Sequence, residues 1–308
     1  MQTRRIKLNT GLTYFARELG TAQPGKLTVL LIHGFLDSSA TWLPVVRHGL
    51  NDAGFHLLIP DMRGHGDSDR IGAGGYYHFA DYLADIDALV ATLAQETQIA
   101  LVGHSMGGSI CAYLAGAFPN RFHKLVLLEG MGPPEMSTPA PLRIVNWLTS
   151  WRRLRTNEPR RYKNISQAAA RLRAHDSLLS EELSIELATL STHKNPDGGY
   201  QFKHDPVHAS QGPYPFRVDV AQEFWRAITC PVLAIEGALS PLRQMLEETE
   251  HRYAHIKNLR REVIADASHM MTRHQPKKIA ELLIEFLSTN SATAPGTNPV
   301  TDPEQPSG

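Results

Sequence analysis

Ser105 lies in Gly103-His104-Ser105-Met106-Gly107, a G-x-S-x-G pentapeptide between the apolar run 99–102 and a stretch from Gly108 to Phe118 with Ile110, Tyr113, Leu114 and Phe118 at helical spacing. That order predicts a strand, a sharp turn and a helix, with the serine hydroxyl raised above the strand end. Small residues are needed on either side because the chain turns back on itself there. A hydroxyl is a weak nucleophile at neutral pH, so Ser105 needs a general base, an acid to orient that base and donors for an oxyanion. In turns of this kind the base comes last in the chain. Of the fifteen histidines, His269 follows the final strand candidate within Ala265-Asp-Ala-Ser-His-Met270, ahead of the last helix. It is the expected general base. His251, His255 and His274 sit in or beside predicted helices and are expected to be solvated. His104 adjoins the nucleophile and is expected to pack and hydrogen-bond there. The oxyanion donors expected are the main-chain N–H of Met106 and that of Phe35, which follows the early strand in His33-Gly34-Phe35.

The elements that must position these groups alternate. Strand candidates at 27–32, 56–59, 99–102, 125–128, 232–235 and 262–264 are separated by helical patterns at 41–53, 79–94, 105–117, 242–253 and 276–287, the signature of a mostly parallel sheet with crossover helices. Residues 5–8 and 13–17 form an expected edge hairpin. The rhythm stops after Leu128. From Pro133 to Ala227 no strand is expected, and helices are expected at 141–151, 166–174 and 180–192. The sequence therefore divides into a core of residues 1–132 and 229–288, a helical cap of 133–228, and a disordered tail of 289–308 that holds four prolines and few large apolar groups.

Thirty-one basic and 31 acidic residues balance, which argues against a nucleic-acid partner, and 42% hydrophobic residues suffice for a substantial core. The polar start Met1–Lys7 has no apolar segment behind it, so neither a signal peptide nor an integral membrane segment is expected, and a cytoplasmic location is the default. Cys111 and Cys230 are expected as buried thiols, with no metal site or disulfide.

With His33-Gly34-Phe35, Asp61-Met-Arg-Gly-His-Gly-Asp-Ser-Asp69, Gly103-His-Ser-Met-Gly-Gly108 and Ser268-His269 in place, the chain resembles the α/β-hydrolase superfamily, and within it the serine-hydrolase-like, carboxylesterase-type branch. The resemblance implies an α/β fold with a mostly parallel eight-stranded sheet, a helical cap, and hydrolysis of esters or related acyl compounds without a cofactor. The loop 61–69 is expected to be structural, with Arg63 pairing Asp67.

One position departs from the family pattern. The acid of most members follows the seventh strand in a Gly-x-x-Asp-Pro turn, and here that turn is Gly237-Ala-Leu-Ser240-Pro241. Glu129, at the end of the run 125–128 and 24 residues after Ser105, is the expected replacement, similar to the relocated acid of some haloalkane dehalogenases. Glu236 and Asp266 are the competing acids. A serine at 105 excludes the aspartyl-ester chemistry of those dehalogenases. His33, Gly34, His104, Trp147 and Trp151 are expected to border the substrate, a small-molecule ester. Trp225, Tyr200, Phe202, Tyr214 and Phe216 are expected either to line an acyl pocket or to form the cap's own core. The basic run 151–163 is expected to be a solvated face. A monomer or homodimer is expected. Two further readings stay open: a hydrolase of C–C bonds in diketone-type substrates, and a non-catalytic scaffold that has lost its acid.

Overall fold

The computed structural model describes residues 1–93, 97–135, 138–156, 158–210 and 212–289. Apart from Thr289, the expected tail lies outside the described residues. The strands are β1 (Gln2–Lys7), β2 (Thr13–Leu19), β3 (Leu27–Ile32), β4 (His56–Pro60), β5 (Gln98–His104), β6 (Lys124–Leu128), β7 (Thr192–Lys194), β8 (Tyr200–Phe202), β9 (Val232–Gly237) and β10 (Leu259–Ile264). Eight of them form one sheet in the order β1-β2-β4-β3-β5-β6-β9-β10, antiparallel from β1 through β4 and parallel beyond.

The central strands read as unbroken apolar runs because both faces of the sheet are covered. Side chains alternate across the pleat. Leu30, Leu101, Leu125 and Leu127 point to one face, where α2 (Phe79–Ala91), α3 (Met106–Ala117) and α7 (Val218–Ala227) contribute Ile86, Ile110, Leu114 and Trp225. Leu31, Ala100, Val102 and Val126 point to the other. There Trp42, α1 (Leu43–Val45) and α10 (Pro276–Ser288) supply Val45, Ile279 and Leu283. Cys111 and Cys230 are free and buried on the first face, and burial pushes the Cys230 thiol up to about 12.

Between β6 and β9 run α4 (Ala140–Thr156), α5 (Ile165–His175), α6 (Glu181–Ser191), the hairpin β7–β8 and α7, and α8 (Leu246–Tyr253) and α9 (Met271–His274) follow in the last third of the chain. Two expectations fail in the 133–228 segment. The hairpin is a strand pair where none was expected. Its strands are three residues each, too short for periodicity, although Asn195-Pro-Asp-Gly-Gly199 carries the turn chemistry. Helix α7 was not anticipated either, though its buried Val218, Ala221 and Trp225 keep helical spacing. The Gly/Pro-rich stretch ahead of it hid that pattern. The crossover expected at 41–53 is divided into a 3-10 turn (Ser39–Trp42), α1 and a wide turn (Val46–Leu50), within which Gly49 adopts φ +109°. That expected at 242–253 divides between a 3-10 turn (Pro241–Gln244) and α8.

Candidate active site

Ser105 follows β5 with φ +53° and ψ −120°, a left-handed conformation strained for a non-glycine residue. Close backbone packing holds it there. A Cβ at Gly107 would fall 2.5 Å from the carbonyl oxygens of Ile32 and His33, and one at Gly108 would fall 2.5 Å from Gly130 Cα. Only bare backbone lets α3 leave so tightly against β3 and the end of β6. The Ser105 N–H donates to Leu128 O (2.9 Å), tying the turn to the neighbouring strand.

Glu129 stands one strand away in a similar pose. Its φ is +46°, and its N–H donates to Ile235 O (3.1 Å), so the residue turns out of the sheet while staying on the ladder. The side chain then reaches across the end of β9. Oε1 accepts the Gly237 N–H (3.0 Å), and Oε2 accepts both the Ser240 hydroxyl (2.7 Å) and His269 Nδ1–H (2.6 Å). Burial pushes the carboxyl up, but the donors from His269, Gly237 and Ser240 outweigh it and hold the group below the usual carboxylate range. Serine at 240 therefore does not leave the site without an acid. The carboxylate arrives from β6, and the serine is one of its donors.

An ionised carboxylate only accepts, so Nδ1 of His269 carries the proton and Nε2 is left as the acceptor. Nε2 lies 3.0 Å from Ser105 Oγ. The structure thus brings Ser105, His269 and Glu129 into one hydrogen-bonded line. The competing acids lie elsewhere: Glu236 pairs with Arg261 (2.9 Å), and Asp266 occupies a positive-φ turn (φ +55°).

Gly34 abuts the nucleophile, since a Cβ there would lie 3.2 Å from Ser105 Cβ. Among the described residues, neither the Phe35 N–H nor the Met106 N–H has a main-chain acceptor. Leu36 holds φ +58° and its N–H donates to His65 Nε2 (3.2 Å), while the Phe35 ring packs edge-on against His65 and His208. Burial keeps His65 well below the ordinary histidine range and lowers His208 to about 3, so both act as neutral packing groups.

His33 was expected at the substrate, but it is fully buried with both ring nitrogens taken: Nδ1–H donates to Gly34 O (2.7 Å) and Nε2 accepts from Met62 N–H (2.9 Å). His104 is also buried. Its Nε2–H donates to His269 O (2.8 Å), and burial lowers it to about 4, so it braces the histidine loop as a neutral ring. Trp147 packs edge-on against Tyr76, and Trp151 lies beside it with Arg155 over its ring. Among the described residues neither indole makes a ring or polar contact with Ser105, His269 or Glu129. Trp225 is core, not pocket, and Tyr214 is exposed.

Two charge expectations are corrected. Arg63 does not pair with Asp67. It makes a forked contact with buried Asp85 (2.5 and 2.7 Å), which also accepts from Tyr14, while Asp67 takes Lys203. The fork favours the fully desolvated carboxylate, which needs several donors at once. His274 is not solvated: Nδ1 accepts the Ser268 N–H (3.1 Å) and Nε2–H donates to Asp176 Oδ1 (2.6 Å). Sequence reading missed it because its partners lie on the adjoining loop and at the end of α5. Asp176 therefore links the insert to the residue preceding His269.

No described helix is long and apolar enough to cross a membrane. Among the described residues no cluster of metal-ligating side chains occurs.

The family model described as alpha/beta hydrolase fold matches residues 28–272. A serine hydrolase-like protein of Dictyostelium discoideum is 23% identical over 292 residues, covering 92% of this chain and 80% of that relative. The protein ABHD8 of Bos taurus is 24% identical over 291 residues, covering 91% of this chain but only 60% of the longer relative. Among solved structures, the thioesterase domain from the curacin biosynthetic pathway superposes with a TM-score of 0.77 at 24% identity, covering 92% of this chain and 99% of that one. At such identity the structural likeness carries the fold alone.

Proposed function

Because the chain belongs to the α/β-hydrolase family, whose description spans most of its length, we propose that it is a serine hydrolase cleaving carboxylic esters through an acyl-enzyme at Ser105. Family membership supports hydrolase activity; the observation that carries the finer reading is the line Glu129 Oε2, His269 Nδ1, His269 Nε2, Ser105 Oγ at 2.6 and 3.0 Å.

In this reading Ser105 Oγ bonds the ester carbonyl carbon as its proton passes to His269 Nε2. The carbonyl oxygen takes up the electron pair and is met by the N–H groups of Phe35 and Met106. Glu129 orients the imidazole and stabilises the imidazolium. The C–O bond then breaks, the alcohol leaves with the proton from Nε2, and an acyl-serine remains. Water attacks by the same route and releases the acid, so one ester and one water give one acid and one alcohol. No cofactor enters this scheme. The segment 133–228 is read as the cap, and substrate selection is assigned to it.

The scaffold reading drew its support from the serine at 240. Glu129 bonded to His269 supplies the acid that reading lacked, and we favour catalysis. The test is hydrolysis of chromogenic acyl esters of increasing chain length by wild type and Ser105→Ala. Turnover lost in the variant, by at least a thousandfold, is expected. The likeness to the curacin-pathway thioesterase domain motivates adding acyl thioesters to the panel. Absence of turnover on every acyl substrate sinks the ester reading and moves weight to diketone substrates.

A further inference from the structure

We propose that Ser240 is a positioning residue for His269, because its hydroxyl shares Oε2 of Glu129 with the imidazole and fixes the plane of that carboxylate. The proposal rests on the hydrolytic reading of Ser105, His269 and Glu129.

A glutamate reaching from β6 across the end of β9 has a carboxylate that can rotate about its last bond. The Gly237 N–H on Oε1 is a single point of attachment, and rotation about it would swing Oε2 away from Nδ1. The Ser240 hydroxyl, 2.7 Å from Oε2, supplies the second point. Ser240 is itself held: it is 1% exposed, its N–H donates to Gly237 O (3.0 Å), and Oγ accepts the Leu242 N–H (3.3 Å). That leaves its proton directed at Glu129. The cavity beside Glu129 is also lined by Glu236, Arg243, Glu248, Arg252 and Tyr253. Glu236 pairs with Arg261, and Arg252 donates to the carbonyls of Met131, Gly132 and Pro133. Tyr253 has Arg261 over its ring. Among the described residues, Ser240 is thus the only side chain besides His269 that donates to this carboxylate.

The first consequence is orientation, seen in kcat and not in KM. The second is charge. A second donor on Oε2 draws density from the oxygen that supports His269, so removing it raises the carboxyl and moves the acid limb of kcat/KM, a property of the coupled pair, to higher pH.

The experiment has two arms. A fluorophosphonate probe reads the nucleophilicity of Ser105 without knowledge of the substrate, and the downfield His269 Hδ1 resonance reads the Glu129 contact without activity. Expected are probe labelling of wild type that is absent in Ser105→Ala, labelling about tenfold slower in Ser240→Ala with a displaced Hδ1 resonance, and recovery to within about twofold in Ser240→Thr, which keeps the hydroxyl. With the ester identified in the panel, kcat falls by a similar factor at constant KM. Labelling and Hδ1 unchanged in Ser240→Ala overturn the proposal, as does a loss of melting temperature with normal labelling of the folded fraction, which marks a structural role alone. No labelling of wild type overturns the hydrolytic reading and with it the role in reaction. An Hδ1 resonance that still responds to Ser240→Ala then assigns that failure to Ser105 chemistry and not to the Glu129 contact.

Discussion

The turn at Ser105 and the seat of Glu129 stand at the ends of adjacent strands, and both residues hold positive φ, yet they are built by opposite means. Around Ser105 the packing is backbone on backbone, with Gly107 against β3 and Gly108 against Gly130. No side chain can be added and none is needed. Around Glu129 the fixing is by hydrogen bonds from Gly237, Ser240 and His269, each of which can be removed singly. One region tolerates no added atom, whereas the other should degrade in steps.

Gly107→Ala should have the largest effect, because its methyl meets carbonyl oxygens that cannot move without distorting β3. Destabilisation of about 3 kcal/mol or more is expected in urea unfolding, with the folded fraction poorly active. A variant that melts like wild type would remove the steric half of the comparison. Glu129→Gln should lower kcat of the folded protein roughly a thousandfold or more, as when the carboxylate of a serine triad becomes an amide. An unchanged rate would take Glu129 out of the mechanism. Glu129→Asp, one methylene short of spanning the end of β9, should fall between, at about a hundredfold.

Glu129 also gives a stability signature with a definite sign. Its carboxyl is held below its ordinary value of 4.5 in the folded chain, so its contribution is present above that pH and is lost as pH falls through the lower folded value. The stability difference between wild type and Glu129→Gln, followed by urea titration, should therefore shrink below about pH 4.5. The smallest expected effect is that of His104→Ala. Its ring stays neutral down to about 4, so the variant should lose a few-fold in kcat through a looser His269 loop, with the acid limb of the pH profile unmoved. A moved limb would show that His104 titrates with the pair.

The parts of the molecule that were legible in advance are those where the signal is local. The central strands announced themselves as apolar runs because both faces are covered, and the turn at Ser105 because its glycines are a direct steric requirement. Glu129 was readable by position at a strand end. The hairpin β7–β8 was not, since three-residue strands have no period to detect, and α7 was masked by the prolines before it. Arg63 was assigned to Asp67 on nearness in sequence, whereas buried Asp85 on α2 demanded its guanidinium. His274 was assigned to solvent on helix context alone, and its partners come from α5 and the His269 loop.

By itself the amino-acid order indicated the candidate groups and the elements that carry them, because apolar runs and glycine spacing are properties of short windows and the order serine, acid, histidine is read directly along the chain. What only the tertiary structure decided is who faces whom: that a glutamate at the end of β6 crosses the end of β9, that Ser240 donates to it, and that His269 therefore carries its proton on Nδ1. Those facts rest on hydrogen bonds between residues more than a hundred positions apart, and their geometry exists only once the sheet has set its strand order.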